Sequence, residues 1–185
     1  MHLLAISGSL RSGSYNTALA RTAQQLVPQG VTLDVATLHG IPLYDGDVEQ
    51  SQGIPEAVLG LKARIVAADG LLLVTPEYNQ GVPGVFKNAI DWLSRSDMKT
   101  TFGRKPTGLM GASMGGFGTV SSQNAWLPTL KLLGVQLFSA RSVLVSRAQN
   151  QFDAEHRLQD DATRQLVAAY LADFAAFVAV EKPTN

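Results

Sequence analysis

The sequence predicts an α/β protein: a single domain, residues 1–185, built on a doubly wound five-stranded parallel sheet with helices on both faces. Three observations predict it. Five short apolar runs alternate with helical stretches along nearly all of the chain, the order that parallel strands and crossover helices require. The first and third runs are apolar at consecutive positions, as in strands covered on both faces. Both break abruptly into Ser, Gly or Pro, where a strand gives way to its connecting loop.

Leu3–Ile6 is the first strand and stops at Ser7-Gly8-Ser9. Ala18, Leu19, Thr22, Ala23 and Leu26 share one face of a helix from about Ser14 to Val27. Val31, Leu33 and Val35 alternate with Thr32, Asp34 and Ala36 in the second strand, and a turn-rich loop covers Leu38–Asp47. Pro55 opens a helix to about Ala67. Gly70–Thr75, the most apolar run, is the central strand. A helix carrying Val85, Phe86, Ala89, Ile90 and Leu93 follows Gly84. Lys105–Gly111 is a weaker strand with two internal glycines, and a helix runs from about Val120 to Leu133. Val135–Phe138 and Ser142–Val145 read as a last, broken strand. Asp153 is expected to cap a long final helix with Leu158, Ala162, Leu166, Tyr170 and Phe174 in register. Glu181–Asn185 is read as a frayed tail.

Composition narrows the function. Lys+Arg and Asp+Glu both number 15, which argues against a nucleic-acid partner, because phosphate contacts demand a basic excess. With no cysteine, disulfides, thiolate metal sites and cysteine nucleophiles are excluded. His2, His39 and His156 are scattered over different elements, so no metal is expected, and His39 is read as a solvated surface residue. No apolar run approaches the ~18 residues that span a membrane, and the start lacks a signal peptide's basic and apolar regions. A cytoplasmic protein is expected.

In a doubly wound sheet the ligand sits beyond the carboxyl ends of the strands, which directs attention to three loops. Gly8–Thr17 joins a buried strand to a helix start, where free N–H groups and the helix dipole favour an anion. Ser9, Ser14, Asn16 and Thr17 can add neutral donors and Arg11 a charged, bidentate one, a set suited to a phosphate monoester. The competing reading is that Ser and Asn cap the helix while Arg11 points at water. Neither Gly-x-Gly-x-x-Gly nor a Walker loop is present. Pro76–Gly84 leaves the central strand rigidly; its backbone can approach a flat ligand and Tyr78 offers a ring. It could equally be an ordinary turn. Glu77 is read as a salt-bridging acid rather than a catalytic one, and Lys87 with Asp91 as an i,i+4 pair. Ser113–Gly118 holds three glycines before a helix. Its Gly111-Ala112-Ser113-Met114-Gly115 only approximates a hydrolase elbow, and no late catalytic His accompanies it. Trp92 and Trp126 lie on apolar helical faces, in the core or at an interface.

The segments Gly8-Ser9-Leu10-Arg11…Ser14-x-Asn16, Pro76-Glu77-Tyr78-Asn79 and Pro83-Gly84…Lys87-Asn88-Ala89-Ile90-Asp91-Trp92 resemble the NADPH-dependent FMN reductase family, the flavodoxin-like group that includes bacterial quinone, chromate and azo-dye reductases. The resemblance covers nearly the whole chain, with the segments in the family's order and spacing. It implies the strand order 2-1-3-4-5. It implies that Ser9, Arg11, Ser14, Tyr15 and Asn16 hold the phosphate of FMN, with Thr17 beside them. Pro76, Glu77, Tyr78 and Asn79 then line the isoalloxazine ring, and Ser113, Gly115 and Gly116 its pyrimidine side. Gln80 stands where several relatives carry a second aromatic, so Tyr78, Asn79 and Gln80 shape the substrate cleft. The implied activity is hydride transfer from NADPH or NADH through FMN to a small oxidant such as a quinone, flavin, azo compound or metal oxyanion, in a homodimer or homotetramer. No acid–base pair or nucleophile is needed, because the cofactor carries the chemistry. The alternative is a flavodoxin-type electron carrier without NAD(P)H turnover; such carriers are strongly acidic, and this chain is neutral.

Overall fold

A computed structural model describes residues 1–95 and 97–181. The strands are β1 (His2–Ser7), β2 (Thr32–Ala36), β3 (Gly70–Val74), β4 (Pro106–Ala112), β5 (Gln136–Leu137) and β6 (Val143–Val145). The helices are α1 (Tyr15–Leu26), α2 (Gly46–Gln52), α3 (Glu56–Ala67), α4 (Gly84–Arg95), α5 (Met98–Phe102), α6 (Val120–Leu133) and α7 (Asp161–Glu181), with one 3₁₀ turn at Ala148–Asn150.

All pairings are parallel, in the order β2-β1-β3-β4-β5, with β6 also on β4. The chain moves outward from β1 first to one side and then to the other, so the topological switch lies between β1 and β3. Side chains alternate across each strand. Leu3, Ala5, Leu72, Val74 and Met110 pack toward one face with Leu19, Tyr170 and Phe174 of α1 and α7. Leu4, Ile6, Leu71, Leu73 and Leu109 pack toward the other with Ile65, Phe86, Phe102 and Trp126. Covering on both faces is why these runs are apolar without a break.

The last strand is broken in two. Gln136 and Leu137 pair with the start of β4, and Val143–Val145 pair with its end. Between them Phe138 turns in to meet Tyr170 edge-on at 5.2 Å and Phe174 at 5.6 Å, leaving residues 139–142 exposed.

Two short helices, α2 and α5, lie mostly in stretches to which the sequence reading assigned no element. The final helix begins at Asp161 rather than near Asp153. His156, expected in its first turn, has φ +60°, a left-handed conformation that no α-helix passes through. Asp153 instead closes a local turn by accepting the Arg157 N–H at 2.8 Å. Asp160 accepts the Thr163 N–H at 2.7 Å and takes the capping role. Glu181 belongs to α7, and residues 182–185 of the expected tail lie outside the described residues. By length and mean hydropathy, α7 is long and apolar enough to cross a membrane; Val167, Tyr170, Leu171, Phe174 and Val178 on one side of it are buried.

Candidate active site

At the carboxyl ends of β1, β3 and β4 the three loops enclose a cleft of about 350 Å³. Ser9, Arg11, Ser14, Tyr15 and Asn16 line one side; Pro76, Glu77 and Tyr78, with Ala112, Ser113, Met114 and Gly115, line the rest.

The first loop is held tightly. The Gly8 N–H donates to Val74 O at 2.9 Å, continuing the β1–β3 ladder. A Cβ at Gly8 would lie 2.2 Å from the Phe86 ring and 2.9 Å from Pro76 Cδ, so only glycine lets this loop close on the second. Ser14 caps α1, its Oγ accepting from the Thr17 N–H at 3.2 Å. The N–H groups of Tyr15 and Asn16 have no acceptor among the described residues, the orphan donors expected at a helix start. The hydroxyls of Ser9 and Ser14 are buried beside them. The Arg11 side chain is exposed and makes no ion pair or hydrogen bond among the described residues. His39 is also exposed, but both ring nitrogens are engaged, one by Thr37 Oγ1 and one by Leu10 O at 3.1 Å. It props the loop from outside.

Asn16 faces the cleft while bonding Ala112 at both ends, and one Nδ2 hydrogen remains available. Thr17 lies beneath the loop, its hydroxyl paired with Ser7 Oγ at 2.8 Å, and does not line the cleft.

In the second loop, Tyr78 and Gly81 exchange backbone bonds of 3.2 and 2.9 Å. Asn79 and Gln80 between them have φ of +50° and +60°, a tight two-residue hairpin turn. This puts Asn79 and Gln80 at the exposed tip, outside the cleft wall. Glu77 pairs with no cation among the described residues; its Oε2 accepts the Ser122 N–H of α6 at 3.0 Å. In the third loop Ser113 Oγ donates to Gly118 O, and Arg147 N–H donates to Gly115 O. Gly116 stands clear of the wall. The sequence reading did not single out Met114 or Ala112 as wall residues. Met114 and Tyr78, 59% and 48% exposed, form the apolar outer lip.

Lys87 and Asp91 pair at 2.6 Å as expected. Trp92 and Trp126 are wholly buried in the chain, their indole N–H groups bonded to Pro42 O and Thr75 Oγ1. Neither side chain is available to an interface. A second cavity of about 650 Å³ lies between α1 and residues 153–164. Its three arginines, Arg21, Arg157 and Arg164, are balanced by Asp153, Glu155 and Asp161.

The donor set fits a phosphorylated flavin. Two free N–H groups, two buried hydroxyls and an unpaired guanidinium meet at one end, and a rigid loop with an apolar lip stands at the other. The chain matches the NADPH-dependent FMN reductase family over residues 1–150. It belongs to that family. It is 48% identical over 169 residues to an NAD(P)H-dependent FMN reductase of Pseudomonas aeruginosa, covering 91% of this chain and 90% of that one. It is 35% identical over 180 residues to a quinone reductase of Escherichia coli (96% and 95% covered). It is 33% identical over 178 residues to a 2-hydroxy-1,4-benzoquinone reductase of a Burkholderia species (96% of each). Among solved structures, the flavoenzyme NAD(P)H:(acceptor) oxidoreductase of Paracoccus denitrificans superposes with a TM-score of 0.85 at 28% identity, over 97% of this chain and 98% of that one. Like the family, this FMN reductase is an oxidoreductase that uses NAD(P)H and FMN and acts on small molecules.

Proposed function

We propose that the cleft is the FMN cradle and that a quinone is the terminal oxidant. On this reading the phosphate lies at the start of α1, held by Arg11, Ser9, Ser14, the Tyr15 and Asn16 N–H groups and the spare Asn16 hydrogen. The ring lies between Pro76–Tyr78 and Ser113–Gly115. The observation that carries the reading is the unpaired Arg11 guanidinium beside unsatisfied helix-start donors. Such an arrangement leaves positive charge and hydrogen-bonding capacity directed at one place. Bound FMN supplies hydride acceptance from the nicotinamide and onward electron transfer. The chain's own residues bind, orient and screen: Pro76 is buried, while Tyr78 and Met114 leave a half-open apolar lip for flat partners to enter in turn. Two relatives at 33–35% identity carry quinone-reductase names, which favours a quinone. Turnover takes place in the cytoplasm. The protein works as a homo-oligomer; Leu43 and Phe117, 81% and 84% exposed, are apolar surface that a second copy can cover.

The test is FMN titration into apoprotein. Arg11→Ala is expected to weaken binding by about 2–3 kcal/mol, roughly thirty- to two-hundredfold, as for loss of a charge-assisted contact. An unchanged dissociation constant removes Arg11 from the cradle. NAD(P)H oxidation with a benzoquinone then tests the oxidant, and light scattering the oligomer.

A further inference from the structure

We propose that Glu77 sets how readily the bound cofactor is reduced: its carboxylate, fixed on the cleft wall by the start of α6, opposes the negative charge that reduction adds. The inference rests on the cradle reading above.

The carboxylate is fixed from both sides. Helix α6 lacks an ordinary cap, because Thr119 at its entry makes no side-chain cap bond and its hydroxyl is taken by Gln123 Nε2 at 3.0 Å. The Ser122 N–H, three residues in, therefore bonds a carboxylate 45 positions upstream. Behind Glu77, Thr75 Oγ1 is a buried hub. It accepts from Trp126 Nε1 at 3.1 Å, shares a bond with Ser122 Oγ at 2.9 Å and donates to Pro76 O at 2.9 Å. The peptide entering Glu77 and the helix receiving its side chain are thus tied to one buried hydroxyl, so the carboxylate bonds an N–H that is itself held in place.

Its charge is left largely uncancelled. No lysine or arginine pairs with it among the described residues, and one backbone N–H with the helix start supplies only partial positive charge. Arg11, the cation on the same cleft, is assigned to the phosphate. Two electrons and one proton entering a flavin ring leave it one unit more negative. A fixed carboxylate in the same partly desolvated cleft repels that charge, disfavouring the reduced form on the order of tenfold. Glu77 is on this view a positioning and tuning residue that keeps the cofactor strongly reducing.

Glu77→Gln removes the charge while its amide oxygen can still accept the Ser122 N–H. The midpoint potential of bound FMN, measured by spectroelectrochemistry, is compared in wild type, Glu77→Gln and Glu77→Asp. Both variants are saturated with FMN before the potential is read, so that a change in affinity is separated from a change in potential. Glu77→Gln should favour the reduced form about tenfold more, a rise of about 30 mV for a two-electron couple. Glu77→Asp, which keeps the charge, should stay near the wild-type potential. A wild-type potential in Glu77→Gln, loss of FMN from that variant, or an equal rise in Glu77→Asp overturns the inference while leaving the cradle intact. Failure of the wild-type protein to bind FMN overturns both.

Discussion

Asn16 and Ala112 are joined at both ends of one side chain: Nδ2 donates to the Ala112 carbonyl at 2.8 Å, and Oδ1 accepts the Ala112 N–H at 2.9 Å. The carboxamide imitates a neighbouring strand and fastens the start of α1 to the end of β4. Both backbone groups are buried, so losing the partner leaves a donor and an acceptor unsatisfied, at about 1–3 kcal/mol each. Asn16→Ala is therefore expected to lower stability by about 2–6 kcal/mol. Urea denaturation checks it, through a fall in midpoint at unchanged slope.

Gly8 marks the closest approach of the first two loops. Its added Cβ would lie inside the Phe86 ring contact, and Phe86 is itself wholly buried. Gly8→Ala is expected to cost about 1–3 kcal/mol by overpacking and to weaken FMN binding by moving the phosphate loop. Thermal unfolding and FMN titration on the same variant test the two effects. A full-affinity, wild-type-stable Gly8→Ala protein would show that the loops are not in register.

Gly108 and Tyr170 form a notch and its filling. A Cβ at Gly108 would fall 2.2 Å from the Tyr170 hydroxyl. That hydroxyl is buried without a hydrogen-bond partner among the described residues, and burial pushes its pKa far above the ordinary tyrosine value. Tyr170→Phe is expected to be neutral or stabilising by up to about 1 kcal/mol, since it removes an unsatisfied buried group. Gly108→Ala should cost about 1–3 kcal/mol in the wild type and clearly less in Tyr170→Phe. A double-mutant cycle with no coupling contradicts the notch.

Asp160 links α7 to pH. The Thr163 backbone N–H, then the Thr163 side chain, hold its carboxyl below the ordinary aspartate value. A folded-state pKa below the unfolded one stabilises at pH above the unfolded value, and that contribution is lost as pH falls through the lowered one. Asp160→Asn keeps a capping oxygen but cannot titrate. Between about pH 6 and pH 3 its urea midpoint should fall less than that of wild type. Parallel pH profiles would remove Asp160 from the acid response.

The strands at Leu3–Ile6 and Leu71–Val74 are legible because burial on both faces makes every residue apolar. Helix α2 was not, because none of its residues is buried and it leaves no periodic signature; α5 is only five residues long. The start of α7 misled because Asp153 and Asp160 both satisfy capping chemistry, and Leu158 falls in step with Leu166 and Tyr170. A bridge between Phe152 and Leu158 and the left-handed His156 separate the two, and no local pattern announces either. At the cleft, residue types in the first two loops carried the reading. The partners of Asn16 and Glu77 stand 96 and 45 positions away; only the order of the sheet brings them near. The tip position of Asn79 and Gln80 depends on their positive φ, which neither residue type demands.

The interruption between β5 and β6 has a bearing on behaviour at high concentration. An unpaired sheet rim is a template on which other molecules can add strands, and proteins suppress this with short or interrupted rims. Here the β4 side ends in fragments of two and three residues, separated by the exposed residues 139–142. Neither fragment is long enough to seed fibrillar growth, and the gap is a point where an inserted peptide or tag would leave the β4 ladder undisturbed.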